Sequence, residues 1–477
     1  MKTDSVNLLI VGGSGFWSER NHHPSILLLK SKGVNVKVVA ICDYYSPNLH
    51  SRPNTNKVVF LDSPIWINPY GKSNSKLKQE LDALHKEKRI DAVIIASNPS
   101  THFFYARWAA MNGISILCDK PIISVSHSAY DKKSAGKIWN RYLELMNIVS
   151  KNKQKNENYL ACSPLRRRAL TPFINVANWL NQVRNNSFQG PLFIDIIVNS
   201  GIHKLPGEFV KGGAHGALEG VGSLTHTSYH YIDILAWYLL VANSNVSKLE
   251  ISPAYVFRVK DYLQIEGYRN LRKYADSGEN EPTNVKIPDA VLNSELDFAF
   301  NIKLLDDHDR PIGRASYALN HTSFSPRLVG FDSNANEPAQ KNLGGRMSHL
   351  YVGIQQSGIQ SVEILKNDVV FFGNNILVKR RLHPKLGKML ENFSYPDAYD
   401  KSTLTPTDLI EEFLCHISGK SKSVNPSEFL SELKNQALTN KIFATFYEQI
   451  AEDFKSSHSN EKISKVIELD YFRNQTI

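Results

Sequence analysis

The chain reads as an α/β domain with a parallel sheet, followed by an α+β domain with a mostly antiparallel sheet. Three observations predict this. Between residues 7 and 118, short apolar β-branched runs alternate with helical segments, the spacing of βαβ units. That alternation stops at the polar stretch Lys151 to Asn158. From Lys248 to Leu377, strand-like runs then follow one another without crossover helices, as antiparallel strands do. The expected domains are 1–155 and 156–477, with the C-terminal helices able to pack back on the first.

Asn7 to Val11 is the first predicted strand and leads into Gly12-Gly13-Ser14-Gly15. Pro24 to Lys32 is a predicted helix stopped by Gly33. Val34 to Cys42 is the second strand, with Asp43 at its end. Tyr44 to Ser75 is rich in Ser, Pro and Asn and reads as an insertion. Leu77 to Lys88 (helix), Ala92 to Ala96 (strand), His102 to Asn112 (helix) and Ile114 to Cys118 (strand) continue the pattern. Ala129 to Lys151 is a long helix. In the second domain Pro172–Val183, Leu224–Val241, Thr407–Ile417 and Pro426–Asp453 are expected helices. Gly190–Asn199, Leu249–Val259, Leu296–Leu305, Arg314–Asn320, Gln360–Leu365, Asp368–Val378 and Lys465–Leu469 are expected strands. Further insertions are expected near 262–290 and 325–350.

Composition narrows the function classes. With 477 residues, 42% hydrophobic and 21% charged, the chain can bury a large core and is not of disordered type. The net charge of +10 is scattered, with only short runs such as Arg166-Arg167-Arg168. No nucleic-acid module concentrates it, so a small and anionic or sugar-like partner is expected instead of nucleic acid. Cys42, Cys118, Cys162 and Cys415 are not at metal-ligand spacing and suit free thiols of a reducing compartment. No metal is expected. No apolar run reaches the length of a membrane span. The expectation is a cytoplasmic protein without a membrane partner.

The turn after the first strand has the chemistry of a dinucleotide site. Glycines let the backbone approach a pyrophosphate held by helix N-terminal N–H groups. Gly13, Ser14, Gly15 and Phe16 are the candidate contacts, and Ser18 stands where a small residue packs helix on strand. Asp43 can accept the hydrogens of ribose hydroxyls. It repels a 2′-phosphate and points to NAD; Arg52 in the following loop leaves NADP as the alternative. A plain βαβ turn without nucleotide is the structural alternative. At the same carboxyl edge of the sheet stand Asn98, Pro99 and His102, then Asp119-Lys120-Pro121. Open α/β sheets bind ligands at that edge.

This order resembles the Gfo/Idh/MocA oxidoreductases. The resemblance rests on the glycine turn, on Ser97-Asn98-Pro99 with His102, and on Asp119-Lys120-Pro121 where the family has Glu-Lys-Pro. It continues in Gly190-Pro-Leu-Phe-Ile-Asp-Ile-Ile197, Gly212-Gly213 and His226-Thr-Ser-Tyr-His230-Tyr-Ile-Asp233. It implies a Rossmann domain followed by an α+β domain with a large open sheet. It also implies NAD(P)-dependent hydride transfer on a sugar, polyol or sugar nucleotide, in a dimer or tetramer. Lys120 and His230 would handle the proton, with Asp119 and Lys120 beside the nicotinamide. Arg168, Tyr229 and Asp233 would meet the substrate, and His215 and Glu219 would line the same cleft.

At about 100° per residue, His226, His230, Asp233 and Trp237 fall within roughly 60° on one helix face. Where the family commonly has an aspartate, this chain has His226. Two close imidazoles disfavour joint protonation, which keeps one available as a neutral base. Both histidines also have the plainer reading of satisfied residues within a packed helix. That departure keeps two rivals open: a non-catalytic cofactor-binding or partner-binding protein on this scaffold, and a lyase or hydrolase using the nicotinamide transiently.

Overall fold

The computed structural model describes residues 5–15, 17–44, 52–186, 190–200, 217–265, 286–323, 349–366, 375–396, 406–419, 432–456 and 464–473. The chain divides into two compact units that interleave along the sequence. Unit 1 takes residues 1–124, 139–169 and 404–436; unit 2 takes 125–138, 170–403 and 437–477.

Unit 1 is built on six strands: β1 (Val6–Val11), β2 (Val36–Cys42), β3 (Ile65–Ile67), β4 (Ala92–Ile95), β5 (Ser115–Cys118) and β6 (Ala161–Cys162). They form an all-parallel sheet in the order β3-β2-β1-β4-β5-β6. Parallel strands buried on both faces read as continuous apolar runs, and β1, β4 and β5 are such runs. The linking helices are α1 (His23–Ser31), α2 (Pro53–Asp62), α3 (Asn74–Lys88), α4 (Pro99–Met111) and α5 (Lys132–Lys155). A helix from far down the chain, Pro406–Ile417, adds Ile410, Phe413 and Leu414 to the core around Leu8, Ile10, Val38 and Ile94. The strand order reverses between β1 and β4, which puts the ligand crevice at their carboxyl ends.

The expected insertion 44–75 carries secondary structure of its own. Its residues 53–67 fold as α2 and the edge strand β3, while 45–51 lie outside the described residues. Only Thr55 and Val58 of α2 are buried, and Phe60 and Leu61 are exposed, so no apolar stripe announces the helix. Pro53 at its first turn was the available signal.

Unit 2 is built on nine strands: β7 (Leu192–Asn199), β8 (Lys248–Arg258), β9 (Glu295–Leu305), β10 (Pro311–Asn320), β11 (His349–Gln356), β12 (Gln360–Lys366), β13 (Asn375–Leu382), β14 (Leu390–Pro396) and β15 (Lys465–Glu468). Their order is β14-β13-β12-β11-β7-β10-β9-β8-β15. Every neighbouring pair is antiparallel except β7 with β10. Strands β11 and β14 were not expected. The expected helix 426–453 begins later, as α8 (Ala437–Ser456), preceded by a 3-10 turn at Leu433–Gln436. Residues 420–431 lie outside the described residues.

One face of this sheet carries α6 (Thr171–Asn185), α7 (Tyr229–Ala242) and α8. Ile194, Ile196, Phe298, Phe300, Tyr317, Val352 and Ile364 point into that layer and are buried. Phe300 stacks on Phe446 of α8 with ring centroids 3.8 Å apart. On the other face Leu377, Leu365, Tyr351, Ile197, Ala318 and Ala299 stand in register across six strands. Ile197 is 37% exposed and the others are half-buried. Among the described residues no helix is long and apolar enough to cross a membrane.

Candidate active site

The carboxyl edge of the unit 1 sheet gathers residues from four strand ends. The glycine turn follows β1. Gly12 has φ +81°, and a Cβ on it would stand 2.5 Å from Ala96 O, at the end of β4. A Cβ on Gly13 would meet the Ile41 side chain at 2.7 Å. Both positions therefore require glycine, which brings the backbone close to two neighbouring strands. Ser14 donates from its backbone N–H (2.7 Å) and its hydroxyl (2.6 Å) to Asp43 Oδ2, and the Tyr44 N–H donates to Asp43 Oδ1 at 2.7 Å. Gly13, Ser14, Gly15 and Asp43 are thus brought together. Phe16 lies outside the described residues.

The first helix does not start as an ordinary α-turn. Ser18–His22 form a π-turn ahead of α1. Such wide turns occur mostly singly and often at functional sites. The Ser18 hydroxyl donates to Gly12 O at 2.7 Å, and Ser18 Oγ is 3.1 Å from His22 Nδ1. His23 Nε2 is 2.6 Å from Gly13 O. Glu19 turns away from the glycines; its carboxylate accepts from Asn54 N, Thr55 N and Thr55 Oγ1 and so caps α2. Those hydrogen bonds hold Glu19 below the usual carboxylate range against the opposing effect of burial, the largest single influence.

The ends of β4 and β5 complete the edge. Asn98 caps α4 by accepting from Ser100 N at 3.1 Å, with Pro99 at the first helical position. His102 is fully buried between two carbonyl oxygens, Pro121 O and Ser97 O, each 2.9 Å from a ring nitrogen. Burial, the dominant cause, lowers its pKa, so the neutral ring donates to one of the two at a time. Asp119 donates its N–H to Ile95 O at 2.8 Å, and its carboxylate lies 3.7 Å from His22 Nε2. Lys120 is half-exposed and its peptide bond to Pro121 is cis. Arg168 sits in a 3-10 turn and is 3% exposed.

In unit 2 the predicted histidine helix begins with a second π-turn, Leu224–Ser228, and continues as α7. His226 and His230 are half-exposed, and His226 Nδ1 is 3.1 Å from Thr227 Oγ1. Asp233 and Tyr229 face inward. Asp233 is fully buried and accepts from Thr439 Oγ1 at 2.7 Å. Tyr229 is fully buried and donates to Asn440 Oδ1 at 3.0 Å. Asp233 lies about 60° round α7 from His230, enough to turn it toward α8. Glu219 is half-buried in a 3-10 turn, and His215 lies outside the described residues.

A buried carboxylate that sequence reading missed holds this helix start. Glu295 Oε1 accepts from Gly222 N (2.9 Å), Leu224 N (3.0 Å) and Tyr447 OH (3.0 Å). Thr225 Oγ1 lies 2.6 Å from the same Tyr447 OH. Gly222 has no room for a side chain, since a Cβ would stand 1.9 Å from Glu295 O. Burial outweighs these hydrogen bonds and pushes the Glu295 pKa up to about 7. Its partners lie 73, 71 and 152 residues away in sequence, so no local pattern could have found it.

The glycine cradle, the acid after β2 and the open sheet edge fit a dinucleotide. Residues 6–138 match the model of the Gfo/Idh/MocA family, described as an oxidoreductase family with an NAD-binding Rossmann fold. No curated protein matches the sequence. Among solved structures, levoglucosan dehydrogenase in complex with NADH and L-sorbose is similar at 12% identity and a TM-score of 0.53, covering 98% of this chain and 100% of that one. An NAD-binding oxidoreductase from Klebsiella pneumoniae is similar at 10% identity and a TM-score of 0.52, covering 97% and 98%. The aldose-aldose oxidoreductase from Caulobacter crescentus complexed with glycerol is similar at 12% identity and a TM-score of 0.51, covering 98% and 100%. At these identities the likeness speaks for the fold. Residues 6–138 thus match the NAD-binding Rossmann fold of the Gfo/Idh/MocA oxidoreductase family model.

Proposed function

We propose that this chain is an NAD-dependent dehydrogenase or reductase acting on a carbinol carbon of a sugar, polyol or sugar-nucleotide-type substrate. The observation that carries the reading is the shared sheet edge. The glycine turn, Asp43, Asn98 and Lys120 follow four different strands and stand at one edge of one sheet. NAD, when bound there, supplies the hydride acceptor. The protein's own part is to hold the cofactor and manage a proton. Gly12, Gly13 and Gly15 give the pyrophosphate close backbone approach, and Asp43 meets a ribose. Lys120 donates a hydrogen bond to the substrate oxygen and exchanges its proton, with His230 as a second proton-handling group. Arg168 is assigned to the substrate. Tyr229 and Asp233, fully buried and bonded to Asn440 and Thr439, are assigned to holding α7 on α8 instead.

Asp43 favours NAD over NADP, because a 2′-phosphate would meet its carboxylate. The in-register apolar row on the open sheet face supports self-association through unit 2. Calorimetric titration with NAD and with NADP, followed by absorbance at 340 nm across a panel of sugars, polyols and sugar nucleotides, tests the reading. Tighter NAD binding and reduction with at least one substrate are expected. Binding without turnover across the panel would favour the non-catalytic rival. A product of changed mass with no net cofactor change would favour the lyase or hydrolase.

A further inference from the structure

Two consecutive histidines are buried beneath the glycine turn, outside the residues assigned so far. His22 is 1% exposed and His23 is fully buried. Burial, its largest influence, holds the His23 pKa below the usual value, so the ring is neutral at pH 7. Its single proton sits on Nε2 and is donated to Gly13 O at 2.6 Å. Its Nδ1 is buried without a hydrogen-bond partner. The proton count at His22 is equally constrained. Ser18 has one hydroxyl hydrogen, and Gly12 O takes it at 2.7 Å. His22 Nδ1, 3.1 Å from Ser18 Oγ, must therefore be a donor. His22 Nε2 looks the other way, to Asp119 Oδ1 at 3.7 Å.

The geometry of the peptide bond converts these contacts into an orientation. A trans peptide puts its C=O and N–H on opposite sides. Drawing the Gly12 carbonyl onto Ser18 and the Gly13 carbonyl onto His23 turns the N–H groups of Gly13 and Ser14 away from the helix. The Ser14 N–H indeed emerges on the far side, where it meets Asp43 at 2.7 Å. The π-turn sets Ser18 and His22, four residues apart, close enough to bond side chain to side chain beneath the glycines. Ser18, where a small residue is usual, is here a hydrogen-bonding link.

We propose that His22 and His23 are positioning residues for the dinucleotide turn. They pin the carbonyls of Gly12 and Gly13 inward and so turn the Gly13 and Ser14 N–H groups, the latter donating to Asp43, to the side of the turn where the cofactor's pyrophosphate would lie. The proposal rests on the reading that this turn binds NAD.

The test uses amide side chains as replacements for single ring nitrogens in the full chain. A glutamine amide can stand in for an Nε2–H donor, and an asparagine amide for an Nδ1–H donor. His23→Gln should therefore bind NAD within about threefold of wild type, and His23→Asn about tenfold or more weakly, the cost of one lost hydrogen bond. At His22 the order inverts: His22→Asn keeps the donor to Ser18 and binding, while His22→Gln loses about tenfold. NAD affinity by calorimetry is the readout, and the melting temperature without NAD reports folding. Equal affinity for His23→Gln and His23→Asn, or the same order at both positions, overturns the proposal. Should His23→Asn fail to fold, Ser18→Ala carries the same test, since it releases Gly12 O. About tenfold weaker binding is expected, and wild-type affinity overturns the proposal. No NAD binding by the wild-type chain would overturn the functional reading as well. Wild-type binding with unchanged variants would overturn the positioning role alone.

Discussion

Both units open a helix with a π-turn where candidate site residues stand, Ser18–His22 in one and Leu224–Ser228 in the other. They differ in what meets the backbone N–H groups there. In unit 2 the N–H groups of Gly222 and Leu224 already end on Glu295, a carboxylate supplied by the protein. In unit 1 the side chains beneath the turn bond carbonyl oxygens, and on the other side the Ser14 N–H donates to Asp43 at the sheet edge. One helix start is closed on a buried carboxyl group, and the other meets a half-buried carboxylate, Asp43, at the open sheet edge. A helix N-terminus predicts an anion site only after the protein's own acids are accounted for.

The largest effect expected is at Lys120. Lys120→Ala should lower turnover roughly 10²–10⁴-fold with NAD affinity nearly intact. Unchanged turnover on a verified substrate would remove Lys120 from the chemistry and leave the unit 1 edge as a binding site only. Next is Gly12→Ala. A Cβ 2.5 Å from Ala96 O, on a backbone at φ +81°, should cost roughly 3 kcal/mol or more and abolish measurable NAD binding. A variant that melts and binds like wild type would contradict the cradle.

Unit 2 should respond to pH instead of NAD. Folded Glu295 titrates at about 7 against an ordinary 4.5. Between those values the folded chain keeps a proton that the unfolded chain has released. Stability should therefore fall as pH rises from about 4.5 to 7 and stay reduced above, by on the order of 3 kcal/mol. Glu295→Gln should flatten that slope; urea melts of both proteins at pH 5 and pH 8 check it, and parallel slopes would refute it. The smallest effect expected is Thr439→Val, which strips Asp233 of one hydrogen bond and should cost about 1–2 kcal/mol without changing NAD affinity. A changed NAD affinity in that variant would break the separation between the two regions.

The fold of unit 1 was largely legible because its central strands are buried on both faces and read as unbroken apolar runs. Its edges were not. β6 is two residues long, and α2 exposes Phe60 and Leu61 while Glu19 caps it from another helix. In unit 2 the alternation of β7 was readable, whereas β11 follows a long polar stretch and was missed. The same contrast holds for the site. Gly12, Asp43 and Lys120 carry their meaning in local order. Tyr229 and Asp233 share a helix with His230, yet partners on α8 turn them inward, and no spacing rule in one helix foretells that. His22 and His23 did leave a trace: two polar rings where a helix entering a core would ordinarily open with apolar residues.

The helix Pro406–Ile417 bears on how this protein is made. Ile410, Phe413 and Leu414 belong to the core of the cofactor unit, yet residues 170–403 separate that helix from the rest of it. At the usual speed of a ribosome this interval lasts roughly 10 to 50 seconds. Throughout it the nascent Rossmann sheet carries an uncovered apolar patch. The growing chain is thus a natural client for a chaperone during that interval, and the capacity to hold NAD should appear late in synthesis, after the second sheet has been translated.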